Sequence, residues 1–245
     1  MHFAEIVNSN DSHCSNPFYT YGEVKAAFAG KEVYVIPQYN NNLNLTERMA
    51  WLAENFTGIP VVIDAFEGGE NTSPNVMLNI TELEQIINIA NVTAIRFPEV
   101  ISWYMGTKRP IPTEWVHNMM DFALSKNLTI YWSEWKLGSD VEALTNATLM
   151  GYEDKITYLY QTNNQYQTQM IGYSYAHEFL HWGVSVQSWY VTSNSTRSDL
   201  NVTEVAEYLI LARNMGAEVI EFEPYSYFFK NGDLLEPMQK MGSII

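Results

Sequence analysis

The sequence predicts an α/β fold, a single-domain (β/α)8 or TIM barrel over residues 1–245, on three observations. Short β-branched and aromatic runs alternate with amphipathic helical stretches along the whole chain. The strand candidates fall about 25 to 35 residues apart, the length of a strand-plus-helix unit. Eight such units fit 245 residues, close to the usual size of a closed barrel.

The candidate strands are residues 3–7, 32–37, 60–65, 92–97, 128–133, 156–161, 183–187 and 218–222. The first is the weakest, so closure rests on it. Between them, residues 46–55, 81–90, 112–126 and 203–215 place apolar residues three and four apart. In the last stretch Val205, Leu209 and Ala212 share a face. Punctuation agrees: Pro112 opens a helix, and Gly58 and Gly216 come just before strands. Thr81-Glu82-Leu83-Glu84 reads as a capping box, and residues 232–241 read as a closing helix. Strand–helix alternation implies a parallel sheet with helices outside it. GxGxxG and GxxxxGK[ST] are both absent, which removes the usual mark of an open nucleotide-binding sheet. No linker or low-complexity tract divides the chain.

Thirteen Lys plus Arg against 28 Asp plus Glu give a net charge of −15. Such a chain repels nucleic acid and anionic lipid, and suits a neutral partner such as carbohydrate. Aromatics reach 14%, and Trp near strand ends suits stacking on sugars. Oligomeric state is not legible. Residues 1–10 do not read as a signal peptide, and no run has the roughly 18 apolar residues of a membrane span. An exported form of this sequence would be a mature chain.

Cys14 is the one cysteine, which excludes an intrachain disulfide and by itself favours the cytoplasm. The sequons point the other way. Asn-X-Ser/Thr occurs at Asn10, Asn44, Asn55, Asn71, Asn79, Asn91, Asn127, Asn146, Asn194 and Asn201. Chance placement of 22 Asn before 33 Ser or Thr gives about three. The excess predicts N-glycosylation of an extracellular or cell-surface protein. Without disulfides, the pattern suits an archaeal surface protein better than a eukaryotic secreted one. Helix capping is the competing use of the same residues, and several sequons fall near helix starts.

In a parallel barrel, chemistry gathers where strands end and the next loops begin. The polar groups there are Gln38, Tyr39, Asp64, Glu67, Arg96, Glu99, Glu134, Gln161, Asn163, Gln187, Trp189, Glu221 and Glu223. The catalytic candidates are Glu134, Glu99, Asp64 and Glu223, in that order. Ile130, Trp132 and Glu134 share one strand face, and a carboxyl beside Trp is desolvated into the range of a general acid. Substrate contacts are expected from Trp132, Trp135, Trp103, Gln187, Trp189, Tyr225, Asn163 and Arg96. Two strand-end carboxyls flanking a glycosidic bond give retention when about 5 Å apart, and inversion at roughly 6.5–9.5 Å. The plain alternative for each acid is a solvated rim position or an ion pair with Arg96, Lys108 or Lys136.

The order of elements, with Trp132-Ser133-Glu134-Trp135, Phe97-Pro98-Glu99 and Val186-Gln187-Ser188-Trp189-Tyr190, resembles the sugar-processing (β/α)8 glycoside hydrolases. In the commonest of these the acid follows strand four and the nucleophile strand seven. Glu99 matches the first position. Strand seven ends in Gln187-Ser188-Trp189, with no acid. The resemblance therefore implies a different family, an inverting layout, or a barrel that binds without cutting.

One motif points elsewhere. His177-Glu178-Phe179-Leu180-His181 is a literal HExxH, which on a helix holds Zn²⁺ with Glu178 as base in a metallopeptidase. It lacks a clear third ligand, since Asp199, Glu204 and Glu207 are loosely spaced. It also precedes strand seven, on the structural face of a barrel. The primary expectation is an extracellular glycosidase without cofactor. A zinc peptidase and a non-catalytic carbohydrate-binding or surface barrel are the alternatives.

Overall fold

A computed structural model describes residues 21–28, 31–37, 44–67, 76–134, 139–162, 180–187, 189–191, 197–199, 210, 212–214 and 216–223. The chain divides into two compact units: residues 41–159 with 178–181, and residues 1–40, 160–177 and 182–245.

In chain order the elements are α1 (Tyr21–Ala27), α2 (Leu45–Asn55), β1 (Pro60–Asp64), β2 (Phe66–Glu67), β3 (Val76–Met77), α3 (Ile80–Ile89), β4 (Asn91–Pro98), α4 (Val100–Thr107), α5 (Thr113–Ser125) and β5 (Thr129–Glu134). They continue with α6 (Ser139–Leu149), β6 (Ile156–Thr162), β7 (His181–Gln187), β8 (Trp189–Val191), β9 (Arg197–Asp199) and β10 (Val219–Glu223). Six strands form one sheet, in the order β1-β4-β5-β6-β7-β10. The pairings β1–β4, β4–β5 and β7–β10 are parallel. This is the α/β architecture expected, and these six strands start or end within two residues of the sequence reading. Of the other two, residues 32–37 contribute a single bridge at Val35. Residues 3–7 and the closing helix at 232–241 lie outside the described residues.

In the unit of residues 41–159, β1 is the run Pro-Val-Val-Ile-Asp, buried from Val61 onward as a parallel strand covered on both faces requires. Neighbouring strands divide into two faces by register. Asp64 pairs with Arg96, and Arg96 with Tyr131, on one face. Ile95 and Phe97 meet Ile130 and Trp132 on the other. Phe97 stacks on Trp132 (5.5 Å) and meets Trp115 of α5 edge-on (5.8 Å), so the second face is the one covered by helix.

Helices α2 and α3 start at Asn44 and Asn79, each with a complete capping box closed by Glu47 or Glu82. The box at α3 lies two residues before the Thr81–Glu84 reading. Asn79, not Thr81, holds the extended backbone that a cap requires. Helix α4 was not expected from sequence. Nor were the β2–β3 and β8–β9 hairpins. In the other unit, β7 and β10 run in register from Gly183–Val219 to Gln187–Glu223.

Candidate functional site

The carboxyl end of β4 turns sharply into α4 at Glu99. This residue sits at φ 55°, ψ 25°, in the left-handed region. For a residue with a Cβ that conformation costs about 1–2 kcal/mol, so surrounding bonds must impose it. The Glu99 N–H donates to Ser133 O on β5 (2.6 Å), and Glu99 O accepts from Trp103 N–H (2.9 Å). Glu99 itself is half-buried.

Glu134 ends β5, next to β4. Its Oε1 accepts from Ile101 N–H (2.9 Å), and its Oε2 accepts from Ser102 N–H (2.9 Å) and Ser102 Oγ–H (2.7 Å). Ile101 and Ser102 lie in the first turn of α4, whose own N-cap makes no side-chain cap bond. A carboxylate suits this place, where amides lack intrahelical partners and the helix dipole is positive. Glu134 is 1% exposed. Its pKa is pushed up to about 7: burial raises it most, the bonds from Ser102 and Ile101 lower it in part, and the charge of Glu99 adds to the rise. The sequence reading of a desolvated carboxyl describes Glu134 well, but the position is an internal helix anchor, closed to solvent.

Trp132, on the same face of β5, is fully buried. Its indole Nε1 has no hydrogen-bond partner among the described residues. Packed on Phe97 under the helices, it is core and offers no open face to a sugar. Trp103 is half-buried on α4. It meets Phe66 (5.7 Å) and Tyr104 (5.0 Å), and the Arg109 guanidinium lies over its ring at 5.4 Å. Tyr104 OH donates to Met77 Sδ (3.2 Å).

Asp64 and Arg96 engage each other. Arg96 Nε donates to Asp64 Oδ1 (2.6 Å) and Nη2 to Oδ2 (2.8 Å), with both residues buried. The pair links β1 to β4, so both of these sequence candidates act inside the sheet. In the other unit Ser185 Oγ donates to buried Glu221 Oε1 (3.2 Å) across the β7–β10 pair. Glu223 and Gln187 lie opposite each other at the ends of those strands. Trp189 opens β8, opposite Asp199. Trp135, Asn163, Tyr225 and His177 lie outside the described residues. His181 is exposed and begins β7, whereas a zinc-holding HExxH needs both His on one helix. Among the described residues no three His, Cys, Asp or Glu form a metal-sized group. None of the described helices is long and apolar enough to cross a membrane.

Asn44, Asn55, Asn79, Asn91, Asn127 and Asn146 are exposed. Asn44 and Asn79 cap helices, Asn55 ends α2 with its Nδ2 bonded to Trp51 O (2.8 Å), and Asn127 is left-handed (φ 58°). Asn91 opens β4 and Asn146 lies within α6. Asn10, Asn71, Asn194 and Asn201 lie outside the described residues. Sequence reasoning missed two features. One is Ser102, which no motif marks. The other is a groove of about 810 Å³ between the first turns of α3 and α5, lined by Asn79 and Trp115 among others.

No protein-family signature and no curated protein matches this sequence. Solved structures do. The catalytic module of a family 98 glycoside hydrolase from Streptococcus pneumoniae TIGR4 matches with a TM-score of 0.60 at 11% identity, over 94% of this chain and 48% of that one. A family 18 chitinase from Crocus vernus matches at 0.56 and 12%, over 93% and 94%. A xylose isomerase domain protein from Planctomyces limnophilus matches at 0.56 and 12%, over 100% and 95%. The chain spans about half the length of the family 98 module. Identities this low establish fold alone. The fold is similar to those of TIM-barrel proteins, two glycoside hydrolases and a xylose isomerase domain protein among them, with no one family singled out.

Proposed function

We propose that this chain is a glycoside hydrolase, a closed single-domain (β/α)8 barrel working outside the cytoplasm or at the cell surface, with Glu99 as its general acid. The observation that carries the reading is Glu99 itself, a half-buried carboxyl held left-handed at the carboxyl end of β4. Backbone strain of this kind persists where neighbouring structure over-determines a residue, and it concentrates at functional sites. Glu134 is the positioning residue. It ties down the first turn of α4, and through that turn the Glu99 backbone.

Chemically, Glu99 would protonate the leaving-group oxygen while a second strand-end carboxylate acts on the opposite side of the sugar. Asp64 is engaged by Arg96, so the second carboxylate is to be found by substituting the strand-end acids one at a time. Trp103, four residues beyond Glu99 on the helix that Glu99 caps, is the stacking surface closest in sequence. The substrate is a poly- or oligosaccharide, in keeping with the −15 charge. No cofactor enters this chemistry.

The test is hydrolysis of a polysaccharide panel, read as new reducing ends. Glu99→Gln should lower kcat by about 10²–10⁴. Activity on aryl glycosides with good leaving groups, which need no proton, should largely survive. An inert wild type, or equal loss on both substrate types, would refute the assignment. Stoichiometric zinc in protein purified without chelator would turn the reading toward the HExxH peptidase.

A further inference from the structure

The groove between α3 and α5 has no residue of the β4–α4 turn in its lining. Its volume, about 810 Å³, is within the usual 300–1,000 Å³ of small-molecule sites. Its lining mixes Trp115 with Asn79, Ile80, Gln85, Glu114 and Asn118. Trp115 Nε1 donates to Leu78 O (2.8 Å), which fastens the half-buried indole to the residue just before Asn79. Ile80, just after Asn79, is a large apolar side chain left 40% exposed.

Asn79 is both a cap and a sequon, in Asn79-Ile80-Thr81. The two uses draw on different atoms. Its Oδ1 accepts the cap bond from Glu82 N–H (3.0 Å), and its backbone N–H donates to Glu82 Oε2 (2.9 Å). The side-chain Nδ2 takes no part in the box. An N-linked sugar attached there leaves both cap bonds intact.

We propose that Asn79 carries an N-linked glycan whose first sugars lie in this groove, with Trp115 as their stacking surface and Ile80 beneath them. The inference rests on the extracellular reading above, because glycan transfer needs a secretory or surface route. Transfer joins Nδ2 to the anomeric carbon of a lipid-diphosphate-linked oligosaccharide. The bond from that carbon to the diphosphate breaks, and the amide proton leaves with the diphosphate. The groove's rim matches this occupant: one aromatic face, one apolar side chain, and amides and carboxylates for hydroxyl groups.

The protein is secreted from a glycosylating host, and each sequon is assayed by peptide mass spectrometry. Amide exchange in residues 113–119 is then compared between wild type and Thr81→Ala, which destroys the sequon but keeps Asn79 and Glu82 as cap. Enzymatic release of the glycan from folded wild type is the second comparison. It converts Asn79 to Asp, a competent cap, and needs no variant to fold. Thr46→Ala, which removes the Asn44 sequon, is the control. The expected result is an occupied Asn79, with exchange in 113–119 several-fold faster after Thr81→Ala or release and unchanged in Thr46→Ala. An unmodified Asn79 overturns the proposal, as does an occupied Asn79 whose glycan leaves exchange unaffected. A bare Asn79 beside occupied sequons elsewhere sinks this inference alone, whereas no glycan at any sequon also removes the sequon support for an extracellular location.

Discussion

Helices α2 and α3 begin in one way and α4 in another. The first two are closed by their own sequence: an Asn, and a Glu three residues on, satisfy each other's backbone. Helix α4 has no such device. It starts from a left-handed Glu99 that makes no side-chain cap bond, and its open amides are filled by Glu134, more than thirty residues further along the chain. A local cap sets where a helix begins. A distant one also sets where the helix lies, because the anchoring strand must already be beside it. The turn that needs accurate placement is the one carrying Glu99.

The largest expected effect is on the distant cap. Glu134→Ala strands two backbone amides and a hydroxyl in a buried place, and should cost about 3 kcal/mol in denaturant unfolding. A loss no greater than the about 1 kcal/mol of a local cap would erase the distinction. Acidity offers a second, nearly as large. The folded pKa of Glu134, about 7, lies above its ordinary value of 4.5. The folded state therefore binds the proton more tightly than the unfolded chain. The contribution is fully present below pH 4.5 and is lost as pH rises through about 7. The expected fall is on the order of 2–3 kcal/mol, and thermal unfolding of Glu134→Gln should show that much less decline between pH 4.5 and 8. An identical pH profile for wild type and variant would remove Glu134 as the titrating group.

Smaller effects come from the local side. Asn44→Ala and Asn79→Ala should each lower stability by about 1 kcal/mol, additively, since they act on separate helices. The smallest is a gain. Glu99→Gly relieves the left-handed strain but adds chain entropy to the unfolded state, for a net rise of roughly 0.5 kcal/mol. It should also abolish hydrolysis. Greater stability with activity retained would separate the strain from the chemistry.

The same contrast explains what was legible in the sequence. Runs such as Val61-Val62-Ile63 and the alternation in Ile130-Tyr131-Trp132 announce strands from local side chains alone, and six of the seven candidates that fall among the described residues stand in the sheet. The starts of α2 and α3 are local too, although the cap of α3 was read two residues late. Helix α4 escaped because it is short, apolar nearly all round and lacks a local start signal. Glu134 and Trp132 share a face, as alternation implies, but alternation does not say which face meets the helices. That depends on α4 and α5, which decide it against solvent. Asp64 and Arg96 were each read as rim groups, yet only the register of β1 against β4 shows that they face one another. The sequon excess has likewise lost part of its force, since Asn44 and Asn79 earn their places as caps whether or not they are glycosylated.

The distant cap bears on the order in which the chain assembles. During synthesis the residues of α4 leave the ribosome well before Glu134 does. Until then its first turn has only water for its amides, and a lone eight-residue helix does not hold in water. The β4–α4 turn thus matures only when β5 docks against β4. A translation pause before residue 134 would leave the proposed acid on an unformed elbow while α2 and α3, which carry their own caps, are already in place.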